Sequence, residues 1–242
     1  MQTSFDFRDA VVLVTGVGRA GQIGNAVARA FGKAGARIVA SDRNAVGLAE
    51  RVREFAAEGI DARPAAGDLT EPHVAAFAVE TAVKQFGRLD VVVNVAGGLT
   101  TYGPVEASSV EDFDREIAIN LKTTYLVSRA AIEPLAAGQG TIINFASVAY
   151  FRPQSPMAIY AGAKAGVAGL TQALALELQP RGIRVNAVAP GMVRTADNVA
   201  AVGDSDIRWV ELHEITDAVM FLASRSASAI TGHVLPVTGQ VV

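Results

Sequence analysis

The sequence has 242 residues, of which half are hydrophobic and 19% are charged, and its formal net charge is −3 at pH 7. This composition predicts a large buried core, and the lack of a basic block argues against binding to nucleic acid or to a membrane surface. No cysteine occurs, which excludes disulfides, thiolate nucleophiles and cysteine-bound metals and agrees with a reducing cytoplasm. The first residues include acids and no apolar run, so we expect no signal peptide, and no stretch is apolar enough to predict a membrane span.

Apolar runs alternate with segments of helical periodicity along the chain. Seven strands are predicted, over Ala10–Thr15, Arg37–Ser41, Asp61–Ala66, Leu89–Val95, Gly140–Ala146, Arg184–Val188 and His233–Val237. Helices are predicted over Ile23–Ala34, Ala45–Glu58, Pro72–Phe86, Val110–Leu135, Ala158–Leu178 and Glu214–Ala223. This alternation predicts an α/β fold of one domain over residues 1–242, with a doubly wound, parallel seven-stranded sheet and helices on both faces. A short loop at about 195–210 would border the substrate, and its Gly203–Asp206 stretch is the best candidate for a mobile loop.

A glycine cluster follows the first strand, with glycines at positions 16, 18, 21 and 24. Backbone without Cβ can approach a pyrophosphate closely, and the helix that follows would offer N–H donors and a positive dipole end. The best fit to a dinucleotide loop is Thr15-Gly16, four residues, Gly21, two residues and Gly24. On the glycines alone, a simple tight turn is the alternative.

An acid stands at the end of the second strand, 18 residues after Gly24. This acid, Asp42, could accept hydrogen bonds from both hydroxyls of an adenosine ribose and would repel a 2′-phosphate. The position therefore favours NAD over NADP. Arg43 and Arg19 weaken this preference because either could meet a phosphate, and a solvated turn acid is the alternative for Asp42.

One tyrosine has a lysine four residues further on, and the two would share a helix face. A neighbouring Lys164 ammonium would lower the pKa of the Tyr160 phenol and fit it for acid/base work on an alcohol or carbonyl. Tyr125 and Arg129 have similar spacing, but their helix is apolar and we expect Tyr125 to anchor packing. Ser147 directly follows a strand, so its hydroxyl could hold a substrate oxygen beside the phenol; a turn or capping serine is the alternative.

These motifs, in this order, resemble the short-chain dehydrogenase/reductase family, and in particular its members similar to 3-oxoacyl-ACP reductase. Tyr160-Ala-Gly-Ala-Lys164, with Ser147 upstream, resembles the active-site motif, and Asn120 matches the helix asparagine of the family's Asn-Ser-Tyr-Lys tetrad. Further similar segments are Asp68-Leu69, Asn94-Val-Ala-Gly97, Pro190-Gly-Met-Val-Arg-Thr195 and Ile230–Gly239. The chain departs from the family in its glycine loop, which is two residues longer than the usual Thr-Gly-x-x-x-Gly-x-Gly.

The resemblance implies a Rossmann-like NAD(P)-dependent oxidoreductase that transfers a hydride between a nicotinamide and an alcohol or carbonyl. It implies a catalytic tetrad of Asn120, Ser147, Tyr160 and Lys164. The implied cofactor-binding residues are Gly16, Arg19, Gly21, Ile23, Gly24, Asp42, Arg43, Asp68, Leu69, Asn94, Ala96, Gly97, Tyr160, Lys164, Pro190, Gly191, Val193 and Thr195. A sensor or scaffold that binds the nucleotide without catalysis is the alternative.

The neighbours of these motifs suggest a largely apolar substrate, such as a 3-oxoacyl thioester, a cyclic alcohol or a dihydrodiol. The expected contacts are Gly98, Leu99, Ser147, Val148, Tyr150, Met157 and Met192. The three histidines are scattered, and no metal site is predicted. By resemblance we expect a cytoplasmic homo-oligomer, a tetramer or dimer built through the Val110–Leu135 and Ala158–Leu178 helices and the C-terminal strand.

Overall fold

Seven parallel strands form one sheet in the order β3-β2-β1-β4-β5-β6-β7 in the computed structural model, which describes residues 5–203 and 207–239. The strands are β1 (Val11–Thr15), β2 (Arg37–Asp42), β3 (Ala62–Ala66), β4 (Val91–Asn94), β5 (Thr141–Phe145), β6 (Arg184–Pro190) and β7 (Val234–Val237). Each neighbouring pair is parallel. The predicted fold class is confirmed.

Helices follow the strands and cover both faces of the sheet. They are α1 (Ile23–Lys33), α2 (Ala45–Ala57), α3 (Pro72–Phe86), α4 (Val110–Ile117), α5 (Thr123–Ala136), α6 (Ala158–Leu178), α7 (Ala196–Val202) and α8 (Leu212–Ala223). Short 3₁₀ turns lie at Val105–Ala107, Val148–Tyr150, Gln179–Arg181 and Arg225–Ala227. No helix within residues 5–203 and 207–239 is both long and apolar enough to cross a membrane.

The core has two halves because successive side chains of a strand point to opposite faces of the sheet. Val12 and Val14 of β1 pack in one half with residues of α1 and α8, and Val11 and Leu13 pack in the other with residues of α3, α5 and α6. All five residues of β1 are buried, as expected for a strand that helices cover on both sides. This double cover leaves the ends of the strands as the places where polar groups can reach solvent.

Two sequence predictions need correction. The long helix predicted over Val110–Leu135 is present but not uniform, because a π-helical turn at Ala118–Lys122 lies between α4 and α5. The predicted loop at about 195–210 contains a helix, α7, whose first N–H groups are capped because the Thr195 hydroxyl accepts from Asn198 N at 3.2 Å. Of the Gly203–Asp206 stretch, residues 204–206 lie outside the described residues.

The order of the strands creates a crevice between β1 and β4. The chain runs from β1 to β2 and β3 on one side and then returns to place β4 on the other side of β1. Connections after β1 and β4 therefore diverge, and the carboxyl ends of these two strands border an open groove. This is the place in a doubly wound sheet where a ligand is expected.

Candidate active site

A cleft of about 340 Å³ lies at this crevice, at the carboxyl ends of β1 to β4. Twelve residues predicted from the sequence line it together: Gly16, Arg19, Ile23, Gly24, Asp42, Arg43, Asp68, Leu69, Ala96, Gly97, Gly98 and Leu99. The sequence analysis did not predict the other seven residues of the lining, which are Gln22, Gly67, Thr70, Val95, Thr100, Ile119 and Thr123. Most of these lie next to a predicted motif in the chain, so the lining extends by one to three residues beyond the motifs around Gly97 and Asp68.

The glycine loop forms a cradle that side chains would fill. At Gly16, whose φ is +75°, a Cβ would stand 3.1 Å from the Ala96 backbone, and at Gly24 it would stand 2.1 Å from the Gly16 carbonyl oxygen. The N-cap residue of α1, Gln22, makes no side-chain capping hydrogen bond, so the first N–H groups of the helix are left for another acceptor. A close backbone and an uncapped helix N-terminus suit a pyrophosphate.

The Asp42 carboxylate is held in place by backbone donors at the opposite end of this loop. Its Oδ2 accepts from Gly18 N at 2.7 Å and its Oδ1 from Asn44 N at 2.8 Å. A Cβ at Gly18 would lie 2.7 Å from the Asp42 Cγ, so glycine is required for this approach. The extended glycine loop therefore bends onto the acid, and Asp42 still borders the cleft with its remaining acceptor capacity.

Across the cleft, Asp68 stands beside two cations. The Thr70 backbone N–H, which donates to Asp68 Oδ1 at 2.9 Å, is the main reason that the pKa of this carboxyl is lowered; the charges of Arg43 and Lys122 act in the same direction. Asp68 is therefore an anion at neutral pH that can accept a hydrogen bond from a ligand amine.

Several predicted cofactor residues do not line the cleft. Gly21, at φ +67°, instead accepts a hydrogen bond at its carbonyl from Ala196 N at 3.3 Å, and the neighbouring Arg19, which does line the cleft, pairs with Asp197. These contacts join the glycine loop to the start of α7. Four further implied cofactor-binding residues lie in the segment that leads to this helix: Pro190, Gly191, Val193 and Thr195.

Asn94 is placed differently from the prediction, since its side chain lies inside the protein and does not reach the floor of the cleft. Its amide nitrogen donates to Ser128 Oγ at 3.0 Å and to Asn144 Oδ1 at 2.9 Å. Asn144 donates in turn to Thr171 Oγ1 at 2.9 Å. These buried polar groups connect β4, β5, α5 and α6 directly beneath the site.

The serine, tyrosine and lysine of the predicted tetrad meet beyond the end of β5. The Ser147 hydroxyl acts on the Tyr160 phenol and lowers its pKa, and it also accepts from Ala149 N at 3.2 Å, so it caps the following 3₁₀ turn as well. The Lys164 Nζ lies 5.8 Å from the centre of the Tyr160 ring and donates to the Phe145 carbonyl at 2.8 Å. Both readings of Ser147, a turn cap and a neighbour of the phenol, are therefore realised at once.

The asparagine of the tetrad connects this group to the cleft. Asn120 is fully buried in the π-helical turn; its Oδ1 accepts from Gly98 N and its Nδ2 donates to Gly98 O, both at 3.0 Å. A Cβ on Gly97 would lie 2.6 Å from that Oδ1, which explains the glycine here. The π-helical turn places the amide against the loop after β4, a displacement that the sequence pattern does not reveal.

The predicted pKa shift of Tyr160 is wrong in sign for the protein without a ligand. Removal of the Tyr160 phenol from solvent raises its pKa, the Ser147 hydroxyl lowers it, and the charge of Glu116 raises it further. Burial also lowers the pKa of Lys164 to about 8, against which the charge of Glu116 acts. Desolvation thus weakens the very ammonium that was expected to acidify the phenol, and Lys164 turns its Nζ to a backbone carbonyl.

Of the predicted substrate residues, Gly98 and Leu99 line the cleft, and three others stand next to tetrad residues in the chain. Val148 and Tyr150 form the 3₁₀ turn after Ser147, Met157 precedes α6, and the side chain of Met192 is 44% exposed. Tyr125, the tyrosine expected to anchor packing, is 46% exposed on α5, so that expectation is wrong for the single chain.

Comparison with known proteins agrees with this geometry. A family model described as enoyl-(acyl carrier protein) reductase matches residues 16–239. The chain is 35% identical to D-threitol dehydrogenase of Mycolicibacterium smegmatis, over 99% of this chain and 96% of that relative. It is 36% identical to trans-4-hydroxycyclohexanecarboxylate dehydrogenase of Sinomonas cyclohexanicum, over 96% and 92%.

The fold comparison gives the same answer. A solved short-chain type dehydrogenase/reductase from Mycobacterium ulcerans superimposes with a TM-score of 0.92 and 32% identity, covering 97% of this chain and 90% of that chain. The relatives with established names are dehydrogenases of alcohols, which confirms the predicted reaction class. The chain therefore belongs to the short-chain dehydrogenase/reductase family and is an oxidoreductase that acts on a CH–OH group with a nicotinamide cofactor.

Proposed function

We propose that this enzyme interconverts a secondary alcohol and its ketone on a largely apolar substrate, with NAD as the cofactor and Tyr160 as the acid/base. The observation that carries the proposal is the group of side chains beyond β5, where Lys164 Nζ lies 5.8 Å from the centre of the Tyr160 ring and the Ser147 hydroxyl lowers the pKa of the phenol. Asn120 links this group to the cleft through both of its bonds to Gly98. Acid/base, oxygen-binding and cofactor-facing groups therefore adjoin one another.

The chemistry divides between cofactor and protein. NAD, held at the cleft by the glycine loop and Asp42, would supply the hydride chemistry when bound. The Ser147 hydroxyl holds the substrate oxygen beside the phenol, and Tyr160 takes the proton from this oxygen or returns it. Lys164 binds the nicotinamide ribose and, when charged, favours the phenolate; Asn120 fixes the loop at Gly98. The apolar surroundings that raise the pKa of Tyr160 also exclude water from the transfer.

The catalytic role is tested with Tyr160→Phe and, as a matched control, Tyr125→Phe on the exposed face of α5. We expect Tyr160→Phe to lower kcat by about 10²- to 10⁴-fold, the usual contribution of an acid/base, while NADH binding persists. The control keeps wild-type turnover. Normal turnover by Tyr160→Phe would refute the role. A wild type that binds NADH tightly yet oxidises no alcohol in a broad panel would instead favour a nucleotide-binding sensor.

Asp42 supports NAD rather than NADP as the cofactor. Two backbone N–H groups aim its carboxylate at the cleft, where it can accept from ribose hydroxyls and would repel a 2′-phosphate. We expect the wild type to bind NADH more tightly than NADPH and Asp42→Ala to lose about tenfold or more of this preference. Asp61→Ala, at an exposed acid before β3, is the control. A wild type that prefers NADPH would show that Arg43 or Arg19 dominates.

A cyclic secondary alcohol is the substrate class that we favour among those suggested by the sequence. Its support is the apolar set Val148, Tyr150 and Met157 next to the tetrad in the chain, with Met192 after β6, together with a relative named for a hydroxylated cyclohexane acid. Cyclohexanol-type alcohols should therefore show a higher kcat/KM than D-threitol. The reverse order would indicate a polar pocket.

We also propose that the chain acts as a homo-oligomer, a tetramer or dimer in the cytoplasm. Phe113 on α4, Tyr125 on α5 and Leu176 on α6 are 49%, 46% and 76% exposed in the single chain, and these helices are the ones predicted to meet a second copy. Light scattering on the protein as it elutes from a size-exclusion column measures its molar mass and hence its oligomeric state. A monomer at micromolar concentration would contradict this proposal.

A further inference from the structure

Glu116 is a buried acid that the reaction proposed above does not use. It lies on α4, one helical turn before Asn120, and its side chain is fully buried. It is the only buried acidic residue in residues 5–203 and 207–239. Burial of a carboxylate is costly unless donors surround it, so its contacts need an explanation.

These contacts bind the loop that follows β4. Glu116 Oε2 accepts from Thr100 N and from Thr101 N, both at 3.1 Å, and from the Thr100 hydroxyl. Its Oε1 accepts from Asn120 Nδ2 at 3.2 Å. All of these partners are donors, which is the environment that an ionised carboxylate requires.

Asn120 and Glu116 together hold one continuous piece of chain. Asn120 binds Gly98 through both its amide oxygen and its amide nitrogen. Two residues further along the chain, Glu116 accepts hydrogen bonds from the N–H groups of Thr100 and Thr101. Gly98, Leu99 and Thr100 line the cleft. Two side chains four residues apart on one helix face therefore fix the wall of the cleft nearest the tetrad.

The charge of Glu116 also reaches the proton-transferring group. It raises the pKa of Tyr160, and it raises the pKa of Lys164 against the larger lowering by burial. Tyr160 from α6 and Glu116 from α4 are the titratable groups that face Lys164 among the described residues; Ser147 and Asn120 are neutral. Glu116 thus favours the ammonium of Lys164 and the neutral phenol of Tyr160.

We propose that Glu116 is a positioning residue for this reaction, which fixes the cleft wall at Gly98–Thr101 together with Asn120 and places its negative charge beside the Tyr160–Lys164 pair. This inference rests on the proposed acid/base role of Tyr160. It assigns to α4 a function in the site that neither the tetrad nor the cofactor loop provides.

The first test compares Glu116→Gln with Glu111→Gln, an exposed acid of the same helix. Glu116→Gln removes the charge at nearly constant volume, and its amide must set a donor against the N–H groups of Thr100 and Thr101. We expect kcat/KM to fall by about 10- to 100-fold, the usual effect of losing hydrogen bonds to a charged group, and Glu111→Gln to match the wild type. Wild-type kinetics for Glu116→Gln would overturn the proposal.

The pH dependence distinguishes positioning with charge from a merely structural role. Because the charge of Glu116 raises the pKa of Tyr160, removing this charge should lower that pKa. In a plot of the rate of alcohol oxidation against pH, the ascending limb should therefore move to lower pH. Glu116→Asp, which keeps the charge on a shorter side chain, should lose rate but keep the limb in place. A rate loss without movement of the limb in Glu116→Gln would refute the electrostatic part.

A measurement without substrate separates this proposal from the proposed function. In the ligand-free protein, the free energy of unfolding should rise with pH as Lys164 loses its proton in the folded state, and in Glu116→Gln this rise should begin at lower pH. An unchanged onset would contradict the proposal even if no substrate were found. Should Glu116→Gln fail to fold, Thr100→Val removes one donor at an exposed residue; wild-type kcat/KM in this variant would overturn the role of the contact.

Discussion

Replacement of Lys164 by Met tests the electrostatics of the site in the ligand-free protein. Lys164 is 5% exposed, and its Nζ has one acceptor, the Phe145 carbonyl, among the hydrogen bonds of the described residues. Burial lowers its pKa from the ordinary 10.5 to about 8, and the charge of Glu116 offsets only a part of this effect. The protein therefore folds around a lysine that is easily deprotonated.

The effect on stability follows from the protons that each state binds. Between pH 8 and pH 10.5 the unfolded chain keeps the proton on Lys164 while the folded protein releases it, so the unfolded state binds more protons and the free energy of unfolding rises with pH. At 1.36 kcal/mol for each unit of pKa, the whole shift corresponds to about 3 kcal/mol, of which about 2 kcal/mol appears as a rise from about pH 8 to about pH 10. Below pH 8 the contribution is constant, because lysine is protonated in both states.

Urea unfolding of wild type and Lys164→Met at half-unit steps of pH measures this difference. The wild type should gain about 2 kcal/mol relative to the variant over the window, and the other titrating groups cancel in the comparison. Lys122→Met, at an exposed lysine of the π-helical turn, should run parallel to the wild type. A difference between wild type and Lys164→Met that stays flat from pH 7 to pH 10 would refute the argument, since it would mean that Lys164 titrates alike in both states.

Two further changes test the cofactor end and the support of the site. Gly18→Ala places a Cβ 2.7 Å from the Asp42 Cγ and should weaken NADH binding by about tenfold, measured by fluorescence titration. The control Gly169→Ala, whose Cβ meets open space on α6, should bind NADH as the wild type does. Equal affinities of the two variants would mean that Asp42 moves aside without consequence for NADH binding. Asn144→Leu removes the hydrogen-bond acceptor of Asn94 and the hydrogen-bond donor to Thr171 in the interior. It should lower the free energy of unfolding, measured in urea, by about 2 kcal/mol. A loss near zero would show that water or a shift in packing replaces both hydrogen bonds.

The parts of the fold that the sequence predicts well are those with a local physical cause. The bounds of α3 were predicted to the residue because Pro72 suits the first turn and Gly87, at φ +78°, ends the helix in a left-handed conformation. By contrast, the helical pattern runs without interruption through Ala118–Lys122, so the π-helical turn there has no sequence signal. The residues at the ends of a helix determine where it begins and ends. A π-helical turn, which adds one residue in the middle of a helix, depends instead on the elements that pack against it.

The site divides in the same way. The sequence identifies Tyr160 and Lys164 by their spacing of four residues on one helix, and Ser147 because it directly follows a strand. The direction of the pKa shift at Tyr160 is not contained in spacing, since it depends on how much solvent the fold removes and on Glu116 from another helix. The bond between Gly18 and Asp42 is likewise absent from the motif, because two separate loops must meet to form it.

Helix α4 shows why the sequence pattern does not identify Glu116 as a site residue. Val110 and Phe113 are 71% and 49% exposed, while Glu116 on the same helix is fully buried, so polarity and burial are inverted. An acid in a charged helix is ordinarily a solvated residue, and nothing in the local pattern contradicts that. The inversion has a tertiary cause: the loop after β4 turns the N–H groups of Thr100 and Thr101 toward α4, and no other acceptor among the described hydrogen bonds serves them. A conflict between local pattern and burial marks a position that the fold alone does not require, which is the physical reason for assigning this carboxylate to the reaction.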